Sequence, residues 1–217
     1  MASKLETRSV LFIATDGVEQ VELTEPWAAL EREGATLTLA APEPGKIQAM
    51  NHFEKGDTFS VNRTLSDISA ADFDALVLPG GVASPDRLRM DKRAVALVRE
   101  FLEADKPVAA ICHAAWLLVE ADAVRGRTLT SWPSLQTDIR NAGGTWVDKQ
   151  VQVDQKLITS RKPEDLPAFC GRIVVDFAES IREDKIDTAL EQSFPASDPP
   201  PGPISLGRVR GDSEARP

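Results

Sequence analysis

The stretch Lys106-Pro-Val-Ala-Ala-Ile-Cys-His-Ala-Ala-Trp-Leu-Leu-Val-Glu120 changes its hydrophobic pattern at a single cysteine. Residues 108–111 form a short apolar run after a proline, which is typical of a buried strand in a parallel sheet. From Ala114 onward the residues are mostly good helix formers, without Gly or Pro. Cys112 is therefore predicted to occupy a tight strand-to-helix turn at the carboxyl end of the sheet. The free N–H groups and the positive dipole end of a starting helix favour a thiolate there.

The neighbours of Cys112 suit such a turn. Ala110 and Ala114 flank it two positions away on either side, which is the spacing of the Gly-x-Ser-x-Gly elbow that carries an exposed nucleophile. The alternative is a buried cysteine that only packs, as lone cysteines commonly do. The other cysteine, Cys170, lies in an apolar set at helical spacing, and we expect it to be buried and slow to react.

Composition limits the possible functions. The chain has 217 residues, 42% of them hydrophobic and 27% charged, which is typical of one globular domain. Its net charge of −9 argues against binding to nucleic acids or to anionic membranes. The first residues lack a signal peptide's apolar core, and no run is long enough to span a bilayer. With two cysteines and no disulfide framework, the sequence predicts a cytoplasmic protein.

Strand and helix patterns alternate along the chain, which predicts an α/β fold with a doubly wound, mainly parallel sheet sandwiched by helices. Strands are predicted near 9–15, 35–41, 75–78, 108–111, 128–131, 145–147, 151–153 and 157–159, helices at 19–33, 94–104, from 114, at 134–142 and at 163–181, and a hairpin within 46–62. We expect an N-terminal extension over residues 1–7, one domain over 8–183 and a disordered, proline-rich tail over 184–217.

Three turn signals fall at predicted strand ends: Asp16-Gly17, Gly80-Gly81 and Cys112. Glycine lets backbone N–H groups approach a substrate oxygen, so the N–H groups of Gly81 and His113 are candidates for an oxyanion hole. The alternative is that Pro79-Gly80-Gly81 forms only a turn and binds no substrate oxygen.

A cysteine nucleophile needs a base, and the chain has only two histidines, His52 and His113. Since no histidine follows residue 113, neither the triad of a glutamine amidotransferase nor the order of papain can be built. His113 is the candidate base, or it contributes only its backbone N–H.

Glu19 and Glu22 are spaced to share one helical face near the end of the first strand. Burial would raise the pKa of either carboxyl and allow it to donate a hydrogen bond to a thiolate. The alternative is that both merely complement the helix dipole.

Several segments resemble the DJ-1/PfpI superfamily, and in particular its PfpI-like branch of intracellular cysteine proteases and general stress proteins. They are Leu-Pro-Gly-Gly (78–81), Pro-Val-Ala-Ala-Ile-Cys-His (107–113), Gly-Arg-Thr-Leu-Thr-Ser (126–131), Asn-Ala-Gly (141–143) and the segment 157–169. The resemblance covers about residues 8–180. It implies a flavodoxin-like sandwich, like that of class I glutamine amidotransferases, and a homo-oligomer, either a dimer or a hexamer.

The resemblance also implies residue roles. Cys112 matches the family's nucleophile, and Glu22 matches the glutamate that hydrogen-bonds this cysteine, with Glu19 nearby in support. His113 matches the histidine that acts as the base in the protease-type members. Asp86 matches an acidic residue that a neighbouring subunit contributes to the histidine; by its position alone it would cap a helix or complement its dipole. The chain departs from the family at Ala114-Ala115, where Gly-Pro is common, and at Trp132, where relatives carry Tyr or His.

Together these features predict a cysteine-dependent hydrolase that needs neither cofactor nor metal. Its expected substrates are small dicarbonyl (methylglyoxal) adducts or, as a second choice, peptides, in a role of stress protection. The alternative from another class is a non-catalytic redox sensor that acts through oxidation of Cys112.

Overall fold

The structure is a computed structural model that describes residues 4–193. Its strands are β1 (Ser9–Ile13), β2 (Val18–Glu19), β3 (Thr36–Ala41), β4 (Lys46–Asn51), β5 (Glu54–Ser60), β6 (Arg63–Thr64), β7 (Ala75–Leu78), β8 (Val108–Ile111), β9 (Thr128–Leu129), β10 (Thr145–Trp146), β11 (Val151–Asp154) and β12 (Leu157–Ser160). The helices are α1 (Gln20–Arg32), α2 (Ala83–Leu88), α3 (Lys92–Glu103), α4 (Ala115–Glu120), α5 (Gln136–Asn141) and α6 (Leu166–Ser193).

The main sheet has the strand order β11-β12-β8-β7-β1-β3-β6. All neighbours pair in parallel except β11, which runs antiparallel to β12 at one edge. The chain moves outward from β1 through β3 and β6, then returns to β7 and moves to the opposite edge. The order therefore reverses between β1 and β7, which is where doubly wound folds bind their ligands. The predicted fold class is confirmed.

The sheet is buried on both faces, which explains why its strands are continuous apolar runs. One face packs against α3, α4 and α5, and the other against α1 and α6. Leu11 and Leu76 of the sheet and Phe101 of α3 belong to the first core, and Phe12, Val77 and Phe169 to the second. Successive residues of a strand therefore pack into opposite cores.

A small second sheet adjoins the end of β1. The predicted hairpin is present as β4 and β5, and β2 pairs in parallel with β4, matching Glu19 with Met50. The Gly17 N–H donates to the Gln48 carbonyl at 2.8 Å. These bonds hold the hairpin next to the carboxyl end of the main sheet.

The two ends of the domain differ from the sequence prediction. Leu5, within the expected N-terminal extension, is fully buried and its N–H donates to the Glu33 carbonyl at 2.9 Å. At the other end α6 continues to Ser193, beyond the predicted stop near Ile181, because residues 182–193 contain neither Gly nor Pro. Residues 184–193 of the expected tail are therefore helical; residues 1–3 and 194–217 lie outside the described residues.

In the described part of the chain, no helix combines the length and the apolar character that crossing a membrane requires.

Candidate active site

Cys112 stands between β8 and a short 3-10 turn, Cys112–Ala114, that leads into α4. Its φ of 63° lies in the left-handed region, which a residue with a Cβ rarely adopts. The predicted strained elbow is therefore present. Helix α4 has only six residues, so the local N–H groups matter more for the thiol than a long helix dipole would.

Gly80 allows the elbow to approach β7. A Cβ on Gly80 would lie 2.4 Å from Glu22 Oε2 and 2.7 Å from Cys112 Cβ, which no real side chain tolerates. Gly81 has a φ of 82°, and a Cβ there would lie 2.5 Å from the Gly17 carbonyl oxygen. The glycine pair is thus needed for the close packing of the site as well as for the turn.

Glu22 projects from α1 into this corner and is completely buried. Its Oε2 accepts a hydrogen bond of 3.0 Å from the Gly80 N–H. Its carboxyl also interacts with the Cys112 side chain, whereas Oε1 has no hydrogen-bond partner among the described residues. Burial raises the pKa of Glu22 to about 8, with a further rise from Glu19, so the carboxyl holds its proton at neutral pH.

Opposing effects act on the Cys112 thiol. Burial raises its pKa most, and an ionised Glu22 raises it further, whereas the N–H groups of His113 and Gly81 lower it. The predicted N–H donors are therefore in place, but on their own they do not outweigh burial. A thiolate forms at lower cost when Glu22 is protonated, because the opposing charge is then absent.

His113 lies against Cys112, with its Nδ1 at 3.2 Å from Sγ. Its ring stacks on Trp132 at 5.6 Å and contacts Trp116 at 5.0 Å between centroids. Burial lowers the pKa of His113 to about 4, so the ring is neutral at physiological pH. It can hydrogen-bond the thiol, but it is a weaker base than an exposed histidine.

The spacing of Glu19 and Glu22 predicted that they share one helical face, and this prediction is wrong. The Glu19 backbone is extended because Glu19, in β2, pairs with Met50 of β4. Helix α1 begins only at the following residue. The Glu19 carboxylate accepts the His52 N–H at 3.1 Å and lies 3.8 Å from His52 Nδ1. Glu19 is nevertheless close enough to Glu22 to raise its pKa.

These groups line a cleft of about 510 Å³. Its walls are formed by Gly17, Glu19, Glu22, Met50, His52, Phe53, Gly81, Val82, Ala83, Cys112, His113, Trp132, Pro163 and Glu164. Within residues 4–193, no group of three or more His, Cys, Asp or Glu side chains is arranged to hold a metal ion.

The model of the DJ-1/PfpI family matches residues 8–176, nearly the whole of the described domain. The chain belongs to the DJ-1/PfpI family. The resemblance of the Ala-Ile-Cys-His block is thereby confirmed.

DJ-1/PfpI relatives match the chain over most of their length. Protein/nucleic acid deglycase 2 of Escherichia coli is 39% identical over 75% of this chain and 94% of its own. The deglycase PfpI of Pyrococcus furiosus is 38% identical over 76% of this chain and 96% of its own. The crystal structure of DJ-1beta from Drosophila melanogaster superposes with a TM-score of 0.72, at 27% identity over 86% of this chain and 99% of that one.

Asp86 is the family-implied residue that the single chain does not bring to the cleft. It is exposed in the first turn of α2, where Val82 takes the N-cap position, so it complements the dipole rather than capping the helix. Its predicted contact with a neighbouring subunit stays a prediction.

Cys170 is only half-buried, whereas the sequence predicted that it is buried. It lines a separate groove between α1 and α6, and burial raises the pKa of its thiol to about 11.

The cleft of this DJ-1/PfpI chain also contains residues to which the sequence pattern assigned no role. His52 and Phe53 come from the β4–β5 turn, and Trp132 stacks on His113 while its backbone N–H donates to the Cys112 carbonyl at 3.2 Å. His52 was visible as one of two histidines, but only the pairing of β2 with β4 brings it to Glu19.

Proposed function

We propose that this chain is a cysteine-dependent hydrolase that removes dicarbonyl adducts, such as those of methylglyoxal, from amines and thiols. The observation that carries the proposal is the buried pair of Cys112 and a protonated Glu22, opening into one cleft. The names of the two deglycase relatives support the same chemistry.

The first step is attack on the adduct. Cys112 loses its proton to solvent, its Sγ bonds to the carbinol carbon that methylglyoxal has added to an amine, and the carbon–nitrogen bond breaks. Glu22 gives its proton to the departing amine, which leaves neutral. A carboxyl whose pKa is raised to about 8 suits this role, because it holds a proton at neutral pH and releases it readily.

The second step converts the enzyme-bound hemithioacetal. Glu22, now ionised, takes the proton from the carbon attached to sulfur, and a proton is returned to the neighbouring carbon. The product is a lactoyl thioester on Cys112. Water then cleaves the thioester and releases lactate, and protons from this water and from solvent restore the Cys112 thiol and the Glu22 carboxyl. The overall reaction therefore consumes one water for each adduct.

The N–H groups of Gly81 and His113 support the oxygen that becomes negative in these steps. Both already interact with the sulfur of Cys112, so they lie beside the carbon that this sulfur would carry. Donors fixed in this way need no rearrangement during the reaction.

We further propose that the chain forms a homo-oligomer. Phe53 is 98% exposed and Val82 58% exposed beside the cleft, and adjacent apolar side chains of this kind are typical of contact surfaces. A second subunit there would also bring its Asp86 near a neighbour's site.

The test uses purified methylglyoxal adducts of N-acetylarginine and N-acetylcysteine. Wild type should release lactate and free amino acid, Cys112→Ser should be inactive, and Cys170→Ser should match wild type. A parallel assay with methylglyoxal alone separates adduct removal from direct action on the dicarbonyl. Equal turnover by Cys112→Ser would exclude the proposal; a protein without turnover whose Cys112 oxidises readily would favour the redox sensor.

A further inference from the structure

The turn between β4 and β5 brings a second imidazole to the cleft. His52 stands at the tip of this hairpin, its side chain is 78% exposed, and it lines the same cleft as Cys112. Its φ of 57° is left-handed, an unusual conformation for a residue with a Cβ. Such conformations persist where the surroundings fix them, and they concentrate at functional sites.

The surroundings that fix His52 centre on Glu19. Its carboxylate accepts the His52 N–H at 3.1 Å and lies 3.8 Å from the ring nitrogen Nδ1. Glu19 is itself only 8% exposed, and its own N–H donates to the Gly80 carbonyl at 3.3 Å. One buried residue thus connects the hairpin tip, through its carboxylate, with the strand end beside Cys112, through its backbone N–H.

The hairpin is also held at its far strand. The Asp57 N–H donates to Gln20 Oε1 at 2.6 Å, and Gln20 Nε2 donates to Asp57 Oδ2 at 2.8 Å. Since Gln20 directly follows Glu19, two consecutive residues fix both sides of the turn. His52 is therefore presented by an anchored hairpin.

The position of Glu19 favours one tautomer of His52. A carboxylate on the Nδ1 side stabilises a proton on Nδ1, which leaves the Nε2 lone pair free to accept another proton. The orienting carboxylate of a catalytic triad hydrogen-bonds its histidine, whereas Glu19, at 3.8 Å from Nδ1, acts on this ring through its charge.

Hydrolysis of the proposed thioester requires a base that contacts solvent water, and the groups around the sulfur are enclosed. Glu22 is buried beside the sulfur, and His113 is enclosed by Trp132 and Trp116 with its Nδ1 already on the thiol. His52, in contrast, lies at the rim, in a wall shared by the cleft and by the larger groove of about 860 Å³ between α1 and α6. Water has direct access to this position.

We infer that His52 is the general base for hydrolysis of the Cys112 thioester, and that Glu19 is its positioning residue. His52 Nε2 takes a proton from water while the water oxygen bonds to the thioester carbon. The carbon–sulfur bond then breaks, and the proton on His52 passes through solvent to the expelled sulfur. This inference rests on the proposed hydrolase function and assigns its last step.

The test compares His52→Asn with wild type by rapid quenching and intact-protein mass measurement, using the methylglyoxal adduct of N-acetylarginine. Asparagine tolerates the left-handed backbone and keeps the N–H bond to Glu19, but it lacks the imidazole. We expect kcat to fall on the order of 100-fold. The first turnover should keep its wild-type rate, and the lactoyl adduct should accumulate on Cys112. Added imidazole should restore part of the loss in His52→Gly.

The matched control is Lys55→Ala, an exposed change in β5 of the same hairpin, outside the cleft wall, which should behave as wild type. Glu19→Gln should slow thioester hydrolysis in the wild-type background and change that step little in the His52→Asn background, because its effect on this step passes through His52. Its effect on the pKa of Glu22 concerns the earlier steps, which the first-turnover rate measures separately.

Wild-type turnover by His52→Asn would overturn the inference, and so would a slower first turnover without accumulated adduct. These results would leave the proposed function intact as long as Cys112→Ser is inactive. If wild type never carries an adduct on Cys112 and Cys112→Ser is fully active, the proposed function fails and the inference fails with it.

Discussion

The Glu22 carboxyl lies beside the Cys112 thiol at the buried end of β8, where both groups approach Gly80, and an ionised Glu22 raises the pKa of the thiol. Burial disfavours the charged form of both groups. The arrangement therefore favours a single negative charge, with Glu22 protonated when the sulfur is ionised. The hydrogen-bonding and charge effects of Glu22 can be separated by substitution.

Replacing Glu22 should alter the pH profile of Cys112 alkylation. Glu22→Gln removes the carboxylate but keeps a donor for the thiolate, whereas Glu22→Leu removes both. We expect the thiol pKa to be lower in Glu22→Gln than in Glu22→Leu by about one unit or more. The measurement is the rate of iodoacetamide labelling against pH in a Cys170→Ser background. Identical profiles for both variants and wild type would show that Glu22 does not act on the thiol.

Glu22 should also make stability depend on pH. Its pKa is about 8 in the folded chain and 4.5 in a freely exposed glutamate, so the folded state retains the proton between these values. This contribution is complete below pH 4.5 and is lost as the pH rises toward 8. Wild type should therefore lose up to about 1.4 kcal/mol of unfolding free energy per pH unit relative to Glu22→Gln in this window. Urea unfolding at several pH values measures the difference; a constant difference would contradict the assignment.

Arg161 should be important for stability. Its Nε and Nη2 donate to both carboxylate oxygens of Asp165 at 2.8 and 2.9 Å, and Asp165 is only 1% exposed. Arg161→Ala leaves this carboxylate buried without its cation, which should cost about 3 kcal/mol in chemical denaturation. The matched control is Arg125→Ala, since the pair of Arg125 with Asp122 is exposed and should contribute about 0–1 kcal/mol. Equal losses in the two variants would contradict the prediction.

Asp86 should act across a subunit boundary. Because it is exposed and lies outside the cleft wall of its own chain, Asp86→Ala should preserve the fold while lowering turnover at least tenfold in an oligomer. Mixing Cys112→Ser with Asp86→Ala subunits under exchange conditions should then recover activity. Proven exchange without recovery would show that no site is assembled from two chains.

The sequence by itself determined the fold class and the position of Cys112 at a strand-to-helix turn. The apolar runs that became β1, β7 and β8 are local patterns, and the change from strand to helix at Cys112 can be seen without any distant contact. The Gly80-Gly81 turn and the hairpin within 46–62 were predicted for the same reason, because turn residues act on their own neighbours.

Only the tertiary structure decided how the site works. The pairing of β2 with β4 drew Glu19 out of the predicted helix and placed it against His52, 33 residues away along the chain. The raised pKa of Glu22 and the lowered pKa of His113 both depend mainly on burial by several separate elements. Periodicity and spacing describe a chain's neighbours in sequence, whereas desolvation and long-range hydrogen bonds arise only when distant segments pack together.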